Sequence, residues 1–317
     1  MSWDKFFRCY VGDCVDLIQK MPDKAFHTCV TSPPYYALRD YGVEGQIGLE
    51  PTPAEFIKRL VDVFREVRRV LRDDGTLWIN MGDSYAARFS GNNGYTDGRT
   101  NRNERRAAGV PDGAKRKDML GMPWRLAFAL QDDGWYLRQD IVWHKTNPMP
   151  ESVRDRCTKA HEYIFLLSKQ PKYYFDHEAI KEPVTGNSHP RGKGVTPKSN
   201  ANAFGNRNNA SFSAAVSGLV EQRNRRTVWS VPTRPFKGAH FATFPPALIE
   251  PCILAGSPVG GAVLDPFGGS GTTAGVAAAH GRKAVLCELN PEYAALVPIR
   301  VNDIAKSITD TRNTRNS

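Results

Sequence analysis

Two short stretches hold the residues from which chemistry could be built. Thr31-Ser32-Pro33-Pro34-Tyr35 follows an apolar run over residues 25–30 that reads as a strand. Prolines lack the N–H that a central strand needs, so the chain must leave the sheet there in a fixed, extended turn. Such a turn presents the Ser32 hydroxyl, a carbonyl aimed by two proline rings and the Tyr35 aromatic face at one strand end. Near the other end of the chain, Val263-Leu264-Asp265-Pro266-Phe267-Gly268-Gly269-Ser270-Gly271-Thr272-Thr273 reads as strand, glycine turn and helix. Glycines there let a ligand approach the backbone, and the helix N-terminus offers free N–H donors. Glu288 ends the following strand, 17 positions after Gly271, near where dinucleotide folds place an acid on vicinal ribose hydroxyls. No Lys-Ser/Thr pair follows the glycines, which excludes a phosphate-cradling P-loop. Taken alone, Gly269-x-Gly271-x-x-Ala274 fits a nicotinamide fingerprint, or a tight turn with no ligand, as well.

The elements that must position these turns alternate. Residues 8–11 read as a strand, 14–20 as a helix and 25–30 as a second strand. Thr52 is a helix N-cap with Pro53 at the first helical position, and Phe56, Leu60, Val63, Val67 and Val70 follow at helical spacing. Gly75 then breaks into a strand over 76–81. A helix near 123–131, a strand at 136–143 and an apolar run at 163–167 come next, and the last third returns to strand (262–264), helix (272–280) and strand (283–286). This repetition predicts a parallel α/β sheet. No internal repeat interrupts it.

Charge is unevenly spread. Of the formal +10, residues 86–118 hold eight basic and four acidic side chains, and residues 184–230 hold seven basic and one acidic, which together account for the whole surplus. A neutral body with two basic, Asn-, Ser- and Gly-rich segments suits a polyanion better than a uniformly basic surface does. A single such loop would read simply as solvated; two point to nucleic acid. The six cysteines are scattered without a CxxC pair, which supports neither a zinc site nor a disulfide framework. No apolar stretch approaches the roughly 18 residues of a membrane span, and the N-terminus lacks a secretory pattern, so a cytoplasmic protein with no membrane and no metal is expected.

Together the two turns resemble the paired signature of DNA amino-methyltransferases: (Asp/Asn/Ser)-Pro-Pro-(Tyr/Phe) at Ser32–Tyr35 and the glycine-rich cofactor motif at 265–273. Their order, with the target-amino motif first, the cofactor motif last and a variable region between, is similar to the β group of that N6-adenine and N4-cytosine family over most of the chain. The resemblance implies S-adenosylmethionine as cofactor, double-stranded DNA as substrate and a homodimer. It also implies a Rossmann-like α/β sheet in circularly permuted strand order with an inserted target-recognition region, both termini lying near one edge of the sheet. The expected division is a catalytic part at 1–85, a flexible basic DNA-contacting loop at 86–118, continuation of the methyltransferase domain at 119–183, a target-recognition segment at 184–230 and a cofactor-binding part at 231–317.

Residue by residue, the resemblance gives catalytic roles to Ser32, Pro33, Pro34 and Tyr35. The Ser32 side chain and Pro33 carbonyl accept the amino N–H groups, and Tyr35 stacks on a base flipped from the duplex. The cofactor would be held by Asp265, Pro266, Phe267, Gly268, Gly269, Ser270, Gly271, Thr272, Thr273 and Glu288. Asp13 would meet its adenine amino group, and is equally a helix N-cap. Phe241 and Phe244, in His240-Phe241-Ala242-Thr243-Phe244-Pro245, would lie beside its methionine part or serve as core aromatics. Tyr36, Arg39, His144, Lys145, Arg223, Arg225 and Arg226 would contact DNA. No metal and no covalent intermediate is required, and no cysteine stands beside Pro33-Pro34 to act as the nucleophile of carbon-5 methylation. Ser32 in place of Asp pulls toward N4 of cytosine. Tyr35-Tyr36 and Leu38-Arg39-Asp40-Tyr41-Gly42 resemble the solitary, phage-like subset and tip the expectation narrowly to N6 of adenine. Two other classes compete: a nicotinamide dehydrogenase, which leaves Ser32–Tyr35 and the basic segments unexplained, and an inactive nucleic-acid-binding relative, against which both turns are intact.

Overall fold

The structure, a computed structural model, describes residues 3–86, 114–184, 222–234 and 243–316. Strand β1 (Phe7–Val11) leads through Gly12 into helix α1 (Cys14–Gln19), which Asp13 caps by accepting the Val15 and Asp16 N–H groups at 2.8 and 3.2 Å. Strand β2 (Phe26–Thr31) is buried at every position but His27 and runs directly into the Ser-Pro-Pro turn. Helix α2 (Pro53–Val70) opens with a capping box, the Thr52 hydroxyl accepting the Glu55 N–H while the Glu55 carboxylate accepts that of Thr52. It buries Phe56, Leu60, Val63, Phe64, Val67 and Val70 along one stripe. Strands β3 (Leu71–Met81), β4 (Tyr136–His144) and β5 (His161–Ser168) follow, with helix α3 (Met122–Asp132) between the first two. Beyond the short pair β6 (Glu182–Pro183) and β7 (Gln222–Arg223), the chain continues with β8 (Val228–Ser230), α4 (Pro246–Gly256), β9 (Ala262–Asp265), α5 (Thr272–Ala279), β10 (Lys283–Glu288), α6 (Pro291–Ala294) and α7 (Val297–Asn316).

Eight strands form one sheet in the order β1-β10-β9-β2-β3-β5-β4-β8. The strands from the last third insert between β1 and β2, Val11 pairing with Glu288 and Thr28 with Val263, which is the circularly permuted order expected. From β1 to β3 every pairing is parallel. At the other side the expectation of a parallel sheet fails: β5 runs antiparallel to both β3 and β4, and β8 runs parallel to β4. The 16 residues between β4 and β5 contain no helix to make the crossover that a parallel neighbour needs, so β5 folds back between β3 and β4. Trp3 donates its N–H to Asn302 of α7 at 3.4 Å, so the start of the described chain lies against the last helix.

Gly75 does not start a strand, as expected, but lies within β3, at a register irregularity between the pairs Phe26↔Leu71 and Thr28↔Thr76. A Cβ there would lie 2.9 Å from the Arg72 carbonyl oxygen, which is why the irregularity falls on glycine. The six cysteines are free thiols, and burial pushes Cys14 up to about 12 and Cys9 to about 11, away from nucleophilic use. Among the described residues no helix is long and apolar enough to cross a membrane.

Residues 1–176 and 227–317 form one compact unit and His177–Arg226 a second. Within the second, β6 pairs antiparallel with β7, and Glu182 accepts from Arg223 at 2.9 Å and Arg226 at 2.6 Å. Of the segment expected at 184–230, residues 185–221 lie outside the described residues, while Val228–Ser230 belongs to the main sheet. Of the loop expected at 86–118, residues 87–113 lie outside them. Its base is closed by a Tyr85–Met119 bridge and by Ala86 N–H donating to Asp118 at 2.7 Å.

Candidate active site

The parallel half of the sheet delivers two turns to the same cavity. β9 ends on Asp265 and the glycine turn, the neighbouring β2 ends on Ser32, and the cavity is lined by Ser32, Pro33, Pro34 and Tyr35 together with Asp265–Ser270 and Thr272. A single carboxylate ties the turns together. Asp265, 1% exposed, accepts the Thr31 hydroxyl and the Phe267 N–H on one oxygen, at 2.6 and 3.0 Å, and the Thr273 hydroxyl on the other at 2.6 Å. Burial pushes this carboxyl above its ordinary range, and the Thr273, Thr31 and Phe267 donors oppose the rise. The sequence places Asp265 on the cofactor; it lines the cavity and also braces the two turns. Thr273, fully buried and bonded to Asp265, and Gly271, which lies against Val297, support the turn from behind and do not line the cavity.

The turn itself is open where a ligand would come. A Cβ on Gly268 would collide with Leu286 at 2.8 Å, but one on Gly269 (φ +51°) would meet nothing nearer than 4.0 Å. Glu288 braces the turn from β10, one oxygen accepting the Gly269 N–H at 2.7 Å and the other the Asn290 N–H at 2.8 Å. Burial raises its carboxyl, and the two amides oppose the rise. At the start of α5 the Ser270 and Thr272 hydroxyls are buried on the cavity wall with no protein partner. Two orphaned hydroxyls beside a helix N-terminus and an open glycine fit an anionic group such as the carboxylate of S-adenosylmethionine. Asp13 and Phe244 also line the cavity, as expected; Phe241 lies outside the described residues.

From the segment after the proline turn, sequence reasoning singled out only Arg39 as a site residue. Tyr41, Val43, Gln46 and Ile47 line the cavity from this side, and Asn290 and Tyr293 from the other. The Tyr41 and Tyr293 rings meet edge to face at 6.4 Å. The only available signal was the Asn290-Pro291 step directly after Glu288, a helix-start pattern close behind the presumed ribose acid.

On the proline turn, Tyr35 and Tyr36 part ways. Tyr36, expected to contact DNA, is 3% exposed, packs on Phe56 at 5.4 Å between ring centres and donates its hydroxyl to the Pro51 carbonyl at 3.3 Å. It is an anchor of the turn in the core. Tyr35 faces the cavity and donates its hydroxyl to Glu162 at 2.7 Å. Burial, and next the Glu162 charge, hold that hydroxyl protonated well above the ordinary tyrosine range. The same carboxylate accepts from Asn80 at 3.2 Å and from Lys145 at 2.5 Å. Lys145, also expected on DNA, thus has its ammonium on Glu162 and 4.8 Å from the Trp143 ring centre. His144 is exposed, with its ring nitrogen 3.1 Å from the Ser230 hydroxyl, and Arg39 lines the cavity. Arg223, Arg225 and Arg226 lie in the second unit.

The parallel half of this mixed sheet thus carries an acid-braced glycine turn beside a rigid polar-aromatic turn, as expected of the S-adenosylmethionine-dependent methyltransferases that the sequence resembles. The comparisons name the family. The DNA methylase family model, covering N6 and N4 methyltransferases, matches residues 26–298, and the chain belongs to this family. It is 50% identical over 295 residues to the Type II methyltransferase M.SmaI of Serratia marcescens, covering 92% of this chain and 89% of that protein. It is 48% identical to M.Cfr9I of Citrobacter freundii, over 92% and 86% of the two chains. Among solved structures, a proposed DNA modification methylase of Thermus thermophilus, complexed with S-adenosyl-L-methionine, is 27% identical, with a TM-score of 0.58 over 94% of this chain and 96% of that one. The cytosine-N4-specific PvuII DNA methyltransferase shares the fold at 20% identity, with a TM-score of 0.61 over 96% and 93%. The chain is therefore a DNA methyltransferase of the N6/N4 family that uses S-adenosylmethionine.

Proposed function

We propose that this chain methylates an exocyclic amino nitrogen of a base flipped out of double-stranded DNA at a specific sequence. The observation that carries the proposal is the shared cavity between the Ser32–Tyr35 turn and the glycine turn. An exocyclic amine is a poor nucleophile because its lone pair is delocalised into the ring. The Ser32 hydroxyl and the Pro33 carbonyl accept the amine's N–H groups and draw the nitrogen toward tetrahedral geometry, which frees the lone pair. Pro33 and Pro34 fix the carbonyl in advance, so no reorganisation is needed as charge develops. Tyr35 offers its ring to the base. The cofactor supplies an electrophilic methyl group on a sulfonium. Ser270 and Thr272 would hold its amino-acid end, Glu288 its ribose and Asp13 its adenine.

For the base, N4 of cytosine is favoured over N6 of adenine, the reverse of the narrow expectation from the sequence. That expectation leaned on the Tyr35-Tyr36 pair and on Leu38-Arg39-Asp40-Tyr41-Gly42, and of these Tyr36 serves the core. Ser32 remains as the residue that meets the amine, and serine rather than aspartate there favours cytosine; PvuII methyltransferase is described as cytosine-N4-specific. A homodimer, and DNA contacts from Arg39, His144, Arg223, Arg225 and Arg226, complete the proposal. Incubation with radiolabelled S-adenosylmethionine and unmethylated mixed-sequence duplex DNA tests it. Incorporation lost in Ser32→Ala and Tyr35→Ala supports it, and no incorporation by the unaltered chain refutes it. Nucleoside digestion of the product then distinguishes N4-methylcytosine from N6-methyladenine.

A further inference from the structure

Stacking on an extruded base asks more of a tyrosine than its presence. The ring must keep one face open to the cavity, which means fixing both the direction of its long axis and its rotation about that axis. Two sets of contacts around Tyr35 supply one restraint each. Its hydroxyl, which lies on the long axis, donates to Glu162 Oε2 at 2.7 Å. That oxygen is itself held in place. Asn80 Nδ2 donates to it at 3.2 Å and to the Tyr163 carbonyl at 3.1 Å, so both N–H bonds of a buried amide are committed. Glu162 Oε1 accepts from Lys145 Nζ at 2.5 Å, and the Glu162 side chain is only 12% exposed. Rotation about the axis is limited by Gly82, the residue that follows β3. A Cβ there would lie 2.8 Å from Tyr35 Cε2 and 3.2 Å from Glu162 Oε1, so the edge of the ring rests on bare backbone.

We propose that Gly82 and Glu162 form a two-point clamp that sets the plane and the direction of the Tyr35 ring for stacking on the target base. Both are positioning residues: they act through Tyr35, and neither lines the cavity. Asn80 and Lys145 hold Glu162 in turn. Polar side chains gathered out of water are costly compared with apolar packing of the same volume. What this group fixes in common is one aromatic ring at the cavity wall. Tyr35 thus has two separable parts, a ring that meets the base and a hydroxyl that aims the ring. The inference rests on the proposed stacking role of Tyr35.

The test reads methyl transfer to unmethylated mixed-sequence duplex DNA, with kcat and the KM for S-adenosylmethionine measured separately and folding followed by thermal melt. Tyr35→Phe keeps the ring and loses the tether. Its kcat is expected to fall roughly fivefold, with the cofactor KM within about twofold of the unaltered chain. Gly82→Ala drives a methyl group into the ring edge and should lower kcat by about tenfold or more, again with little change in the cofactor KM. Glu162→Gln retains an acceptor for the hydroxyl and should keep several times more activity than Glu162→Ala. Because Glu162 acts through the hydroxyl, adding Glu162→Ala to Tyr35→Phe should lower kcat by no more than about a further twofold. Unchanged kcat in either Tyr35→Phe or Gly82→Ala, or losses that multiply in the double variant, would overturn the clamp. If the unaltered chain transfers no methyl group to DNA, or Tyr35→Ala is fully active, it is the proposed function that fails, so the two failures are distinct.

Discussion

The two turns at the cavity are built by opposite means. The glycine turn is made by removing side chains: Gly268 and Gly271 give room to Leu286 and Val297, and two carboxylates, the buried Asp265 and the half-buried Glu288, hold the bare backbone by its amides and neighbouring hydroxyls. The proline turn is made by adding rings: Pro33 and Pro34 stiffen the backbone, Tyr36 roots it in the core and Tyr35 carries it to Glu162. The first is shaped to receive a ligand against its backbone. The second is shaped to present side chains in fixed directions. A turn stripped of side chains must be held from below, and so it is sensitive at its braces. A turn filled with rings holds itself, and it is sensitive at its tips.

This contrast can be broken by substitution. Asp265→Ala leaves the Thr31 and Thr273 hydroxyls and the Phe267 amide without their acceptor in a buried place, and a loss of about 3 kcal/mol or more in unfolding free energy is expected, with cofactor binding abolished. An unchanged denaturant midpoint would show that the turn does not need its brace. Gly271→Ala should follow at about 2–3 kcal/mol, because φ is +91° and the new Cβ would sit 2.9 Å from Val297. Gly269→Ala sharpens the point. At φ +51° and with open space ahead it should cost only about 1 kcal/mol in a melt, yet weaken cofactor binding tenfold or more by calorimetry. On the other turn, Tyr36→Phe removes one hydrogen bond to Pro51 and should lower stability by about 1 kcal/mol with kcat unchanged; a fall in kcat alone would return Tyr36 to the DNA. The smallest effect concerns pH. Burial raises the Glu288 carboxyl, so its favourable contribution to folding is fully present below the ordinary carboxylate value and is lost as pH rises through the raised one. Glu288→Gln should flatten the stability profile over that window.

Both turns were legible in the sequence because each is a local device. Two prolines after an apolar run, or a cluster of glycines and hydroxyls between a strand and a helix, say what the backbone must do within a dozen residues. The Thr52 N-cap with Pro53 behind it was legible for the same reason, and the permuted order came with the family resemblance. What stayed hidden is what the fold assembles from afar. Glu162 lies 127 positions from Tyr35 in an unremarked His-Glu-Tyr strand start, and Asn80 meets it only because β3 and β5 are neighbours. Tyr36 looked like its neighbour Tyr35, but a step of one residue out of an extended turn reverses the side chain, sending one ring to the cavity and the other to Phe56. Gly75 misled in the other direction, since glycine marks an irregularity inside a strand as readily as a break before one.

The hydrogen bond between Thr31 and Asp265 spans 234 positions of sequence, and the sheet pairing beside it joins equally remote strands. A nascent chain that has already made the Ser-Pro-Pro-Tyr turn therefore lacks the glycine turn that flanks it until β9 has been synthesised. Parallel pairing over so long a loop is slow to form. Throughout that interval β2, almost wholly buried in the finished sheet, waits with one edge unclaimed. Biogenesis of this enzyme thus has a late commitment step, and chaperone dependence should track how long translation takes to pass residue 265.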